Sequence, residues 1–152
     1  MNYGENSGKD DRELCPVCLE KGERKNINVH FSSLDMTWRT PKATYDELNR
    51  EFSFDFDPCP PNPAFDGLSV EWGKSNFVNP PYGREIGKWI AKGYAEHQKG
   101  KTVVFLIPSR TDSRWWHEYV MKAKEIRFIK GRLKFEGAVN SAPFPFCVVV
   151  FI

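Results

Sequence analysis

Apolar residues recur at two periods along the chain, and the switches between periods mark its elements. In "TPKATYDELNREF", Tyr45, Leu48 and Phe52 fall on one stripe of an amphipathic helix. Thr40 is placed to cap that helix, and Pro41 suits its first position, where a missing N–H costs nothing. The period then drops to two: Phe52, Phe54 and Phe56 alternate with polar partners, predicting a short strand that ends at Asp57-Pro58. Residues 58–73 are rich in Pro, Asn and Gly and read as loop.

The second half repeats this alternation more strongly. "SNFV" is a strand broken by Pro80 and Pro81, and Ile86, Trp89, Ile90 and Tyr94 then take helical spacing. Gly87 and Gly93 weaken that helix on propensity alone. "KTVVFLIP" is an unbroken apolar run, the signature of a strand buried on both faces. Asp112 or Thr111 can cap a helix through "SRWWHEYVMKA", and "EIRFI", "RLKFE" and "FCVVVFI" predict three further strands. Strands alternating with helices imply an α/β fold, a mostly parallel sheet covered on both faces. The closing strands lack intervening helices, so an antiparallel C-terminal edge is expected.

Composition narrows the setting. The 152 residues suit one domain with a real core, at 40% hydrophobic and 28% charged residues. No apolar run nears the roughly 20 residues of a membrane span, and no signal-peptide pattern opens the chain. A cytoplasmic protein with no membrane partner is the expectation. Net charge is only +2, but residues 1–35 carry −2 and residues 101–152 carry +5. A basic C-terminal third can face phosphates or simply be solvated. Cys15-Pro16-Val17-Cys18 is half of a zinc knuckle. No second such pair follows, and His30 is the sole nearby third ligand, so no metal is expected. Residues 1–30 read as a flexible appendage bearing that CxxC, and 31–152 as the main domain.

Ligands of open α/β sheets collect at the carboxyl ends of the strands. Two expected strand ends carry unusual chemistry, Asp57-Pro58-Cys59 and Asn79-Pro80-Pro81-Tyr82. Prolines donate no hydrogen bonds, so the Asn79 carboxamide and the Pro80 carbonyl can both act as acceptors. Two convergent acceptors suit a planar –NH2 group, and the Tyr82 ring offers a face for a heterocycle. Acceptors on such an amine make its nitrogen more nucleophilic and stabilise the positive charge that builds on it.

These residues, with "WRTP", "FDFDPC", "FVNPPYGREIGKW", "VVFLIPSRTDSRWWH" and "IRFIKGRLKF…SAPFP", resemble the phage-type, Dam-like DNA N6-adenine methyltransferases. The likeness runs from about Phe31 to Ile152. It implies a Rossmann-like methyltransferase sheet, S-adenosylmethionine as cofactor, DNA as partner, and an adenine flipped out of the duplex. Asn79, Pro80, Pro81 and Tyr82 would then be catalytic. Asp57 and Pro58, with Trp38, Thr40 and Pro41, would bind the cofactor, and Phe56 or Trp38 would cover its adenine or favour its sulfonium by a cation–π contact. Arg110, Thr111, Asp112, Arg132 and Lys134 become candidates for DNA contact or for internal pairing.

The chain departs from the family in one place. Only 21 residues separate Asp57 from Asn79, and a glycine-rich turn is replaced by Pro60-Pro61-Asn62. The cofactor half is therefore abbreviated, with Asp66 or Glu71 left as candidates for the ribose. Two alternatives stay open: the same chemistry on an RNA base or a protein glutamine, and a non-catalytic DNA-binding relative.

Overall fold

The computed structural model describes residues 39–152. Their elements are α1 (Lys42–Phe52), β1 (Ser75–Val78), α2 (Ile86–His97), β2 (Thr102–Pro108), α3 (Arg114–Glu118), β3 (Glu125–Phe128) and β4 (Phe146–Phe151). A single 3-10 turn, Val120–Lys122, follows α3. Trp38, His30 and the Cys15–Cys18 pair lie outside the described residues.

The four strands form one sheet in the order β1-β2-β4-β3. β1 and β2 are parallel, with α2 as the crossover, whereas β4 runs antiparallel to both of its neighbours. The expectation of a mostly parallel sheet with an antiparallel edge is thus corrected to a mixed sheet. β1, β2 and β3 share a direction, and the antiparallel strand is internal. Burial explains the insertion. β4 is buried at every position, whereas β3 is exposed at Glu125 and Phe128 and suits an edge.

Alternate residues of β2 feed two cores. Val103, Phe105 and Ile107 pack with Trp89, Ile90 and Trp116, while Val104 and Leu106 pack with Leu48, Leu133 and Phe135. Both faces are covered, which is why the strand reads as an unbroken apolar run. α2 packs closely on β2 at Gly93, where a Cβ would stand 2.3 Å from Phe105 Cζ. The glycine that weakens the helix on propensity is what lets it seat.

Four expected elements differ. The Phe52–Phe56 strand shrinks to one parallel bridge, Phe56 to Asn76, because α1 runs through Phe52 and Ser53 then turns left-handed at φ 50°. That leaves three residues before Asp57-Pro58. "RLKFE" is extended and alternates, with Leu133 and Phe135 buried, but pairs only through a bridge from Glu136 to Arg39. Alternation there records which side meets the core, not a strand partner. Helix α1 starts one residue later than expected, with Pro41 as its N-cap residue. Its first N–H, on Lys42, donates to Glu136 Oε1 at 2.8 Å, so Thr40 is not the cap. Ser113, rather than Thr111 or Asp112, precedes α3, which is also shorter than predicted.

Candidate functional site

The ends of β1, β2 and β3 emerge together, since Pro108 lies opposite Phe146 and Phe128 opposite Cys147 in register. The loops beginning at Asn79, Ser109 and Ile129 therefore leave the same rim of the sheet. A cavity of about 750 Å³ is lined by the start of α1, the residues after β1 and the 57–67 loop. That volume falls within the range of small-molecule sites.

Asn79 lines the cavity just beyond β1. Its Nδ2 donates to Thr40 Oγ1 at 3.1 Å, and the Tyr82 hydroxyl donates to its Oδ1. The hydroxyl that α1 does not use as a cap is thus engaged by Asn79. Pro80 is buried and Pro81 lines the cavity. Tyr82 is absent from the lining. Its ring sits 5.2 Å from Phe146, 6.0 Å from Phe135 and 6.4 Å from Phe144, at tilted or edge-on angles. Burial pushes its phenol well above the ordinary range, so the hydroxyl stays protonated and remains a donor.

Asp57 and Pro58 also line the cavity. Burial raises the Asp57 carboxyl, while the Cys59 N–H, donating to Oδ1 at 2.8 Å, partly offsets that rise. Among the described residues no Lys or Arg pairs with this carboxylate, so it offers a cation a partner. The Cys59 thiol is raised by burial and then by Asp57, which leaves it un-ionised and a poor nucleophile.

Of the ribose candidates, only Asp66 lines the cavity; Glu71 lies 3.0 Å from Lys101. Asp66 already accepts from Leu68 N–H at 3.0 Å and Ser69 Oγ at 2.6 Å. Phe56 packs against the core and stacks on Phe65 at 5.7 Å; it is Phe65 that faces the cavity. Pro41 is outside the lining, as are Arg110, Thr111, Asp112, Arg132 and Lys134. Those five are exposed, and Arg110 lies over the Phe144 ring at 5.1 Å.

Sequence reasoning missed Phe65, Trp89 and Glu136, all of which line the cavity. Trp89 was legible only as a core residue of α2, Phe65 lies in a loop without periodicity, and Glu136 was legible only as the polar end of the alternating RLKFE segment. Among the described residues no cluster of three or more His, Cys, Asp or Glu could hold a metal ion. No helix there is long and apolar enough to cross a membrane.

A cavity at the carboxyl end of β1, with the Asn79 amide in its wall, has the form of a small-molecule site. The small α/β architecture around it is consistent with a methyltransferase. The chain belongs to the family of DNA N-6-adenine-methyltransferases (Dam), whose family model matches residues 28–144. The activity this family names is adenine methylation, with DNA as its substrate. No curated protein and no solved structure matches the chain.

Proposed function

We propose that this protein transfers a methyl group from S-adenosylmethionine to N6 of an adenine flipped out of DNA, on an abbreviated Rossmann-like sheet. The observation that carries the reading is the position of Asn79. It stands at the carboxyl end of β1, lines the cavity, and presents a carboxamide oriented by hydroxyls on both sides.

The chain's residues fit such a cofactor in three respects. The cavity is large enough, Phe65 supplies an aromatic wall, and Asp57 is a carboxylate without a cationic partner among the described residues. Asp57 and Pro58 would hold the cationic methionine part, with Thr40 and Trp38 on the closing side. Pro41 would act by setting the start of α1. Between Asp57 and β1 the described chain forms no helix or strand, which agrees with a shortened cofactor half. When bound, the cofactor supplies a methyl group on a positively charged sulfur.

Asn79 Oδ1 and the Pro80 carbonyl accept from the N6 amine. This biases the nitrogen toward a pyramidal, nucleophilic form and stabilises the charge that grows on it. N6 would gain the methyl group as the methyl–sulfur bond breaks to leave a neutral thioether, and the nitrogen would then lose one proton to water. The protonated, hydrogen-bonded Tyr82 is not required as a base. Arg110, Arg132 and Lys134, exposed on loops from the same rim, would meet the DNA backbone and fix its register. Thr111 and Asp112 lie on the Arg110 loop. The direct test is incubation with radiolabelled S-adenosylmethionine and unmethylated DNA, followed by nucleoside analysis. Label in N6-methyladenine is expected; label in RNA or protein alone would overturn the reading. Saturable heat in calorimetric titration with the cofactor separates an enzyme from a DNA-binding relative.

A further inference from the structure

β3 and β4 are antiparallel neighbours, a pairing that a turn of two to five residues can close, yet residues 129–145 lie between them. Connections of that length are uncommon in compact domains and usually carry function. This one is held by the core beneath it. Leu133, Phe135 and Ala142 are buried and pack with residues of β2 and β4, while Lys130, Arg132 and Lys134 are exposed. The main chain is pinned where it turns. Glu136 N–H donates to Arg39 O at 3.0 Å, Ala138 N–H to Phe135 O at 3.2 Å, and Ala142 N–H to Leu133 O at 2.8 Å. Among these bonds Gly137 takes a left-handed φ of 79°, and residues 139–141 are left exposed.

Val139, in that turn, is 88% exposed, more than any other large apolar residue among the described ones. A lone exposed valine means little on an arbitrary surface. The surroundings of this one give it meaning. Glu136 and Asn79 line the same cavity, and three residues of chain span at most about 11 Å, which bounds the reach from Glu136 to Val139. On the return leg Phe144 meets the Tyr82 ring edge-on and carries Arg110 over its own ring at 5.1 Å. The connection therefore presents a pinned apolar tip near the cavity wall, together with exposed cations.

An adenine that leaves a duplex gives up its pairing and its stacking. Apolar side chains inserted between base steps hold a duplex open, and cations on phosphates fix the register of the protein that inserts them. Resting on the reading that an adenine is flipped out of DNA, we propose that Val139 is a positioning residue that enters the duplex beside the flipped adenine and fills the space it vacates.

The test uses the full chain. Wild-type protein first methylates mixed-sequence duplex DNA, and sequencing of the product locates the target. Defined duplexes then carry the target adenine opposite thymine, or opposite an abasic position where no pairing opposes flipping. On the paired duplex Val139→Ala should lower kcat/KM by roughly tenfold, the scale of two buried methyl groups. Val139→Leu, which keeps an apolar tip, should stay near wild type. On the abasic duplex Val139→Ala should match wild type, and its unfolding midpoint should not move because the side chain is exposed. A second readout needs no cofactor: 2-aminopurine in place of the target base brightens when it unstacks. Its rise on protein binding should be strong with wild type and weak with Val139→Ala. Equal losses on the two duplexes, or no loss on either, would overturn the proposal, as would a 2-aminopurine signal that Val139→Ala leaves unchanged. Activity confined to single strands would overturn it too, since nothing is then flipped from a duplex. A wild-type protein that methylates no DNA would refute the functional reading itself, and the proposal with it.

Discussion

Glu96, at the end of α2 opposite the cavity, gives the sharpest quantitative prediction. Its side chain has no exposure to solvent, and it meets Lys92 at 2.7 Å, Lys99 at 2.9 Å and Lys101 at 2.6 Å. Lys101 also donates to Trp72 O at 2.6 Å. The cluster thereby ties the end of α2 to the start of β2 and to the segment entering β1. Burial works to raise the Glu96 carboxyl, but hydrogen bonds from Lys101, Lys92 and Lys99 overcome it and hold the group at about 2, against an ordinary 4.5. A depressed carboxylate stabilises the fold above its unfolded pKa and loses that contribution as pH falls toward the folded one. The shift corresponds to about 3 kcal/mol at pH 7, falling to roughly 1.4 kcal/mol by pH 3. Glu96→Gln removes the charge at nearly constant shape and leaves three ammonium groups around an amide. Urea unfolding should show a loss of about 3 kcal/mol at pH 7, the range for breaking a buried ion pair. The difference from wild type should narrow steadily below pH 4.5. A deficit that stays constant with pH, or one below about 0.5 kcal/mol at pH 7, the scale of a surface substitution, would refute the reasoning. Methyl transfer at temperatures where the variant is folded should be preserved, since the cluster lies at the far end of the sheet.

Two glycines of α2 should respond oppositely to alanine. At Gly87 a Cβ meets only Trp115 at 3.5 Å, and Gly87→Ala should raise stability by up to about 1 kcal/mol through helix propensity. At Gly93 it would overlap Phe105, and Gly93→Ala should cost about 1–3 kcal/mol; thermal unfolding of the pair checks both signs. Asn79→Ala should abolish methyl transfer while calorimetric binding of S-adenosylmethionine and the unfolding midpoint stay near wild type; retained turnover would remove Asn79 from the chemistry. Replacing Arg132 and Lys134 together by alanine should weaken DNA binding alike on all sequences. It should also lower the slope of log affinity against log salt by roughly 2, which a fluorescence anisotropy titration at several salt concentrations measures.

Much of the fold was legible because periodicity reports burial directly. The stripe Tyr45, Leu48, Phe52 became α1, and the unbroken apolar runs became β2 and β4 at the sheet's centre. The chemistry of Asn79-Pro80-Pro81 was equally local, since prolines end a strand wherever they stand. Strand order was not legible. "RLKFE" alternates as well as any strand, and only the packing of Leu133 and Phe135 against β2 and β4 shows that it covers the sheet without joining it.

The site divides in the same way. The sequence by itself determined an amide acceptor, a proline break and a neighbouring phenol, because their identity and adjacency are properties of the chain. Tertiary structure decided where each group points. It brought Thr40 to Asn79 across 39 positions, packed the Tyr82 ring among three phenylalanines, and set Asp57 in the cavity wall with no ion pair to a Lys or Arg among the described residues. Such meetings depend on how elements distant in sequence pack, and hydrophobic packing is non-directional along the chain. The capping role expected of Thr40 shows the limit most plainly. Locally it is a sound helix start, but once Glu136 arrives from the far end of the chain to take the Lys42 N–H, the threonine hydroxyl serves the amide instead.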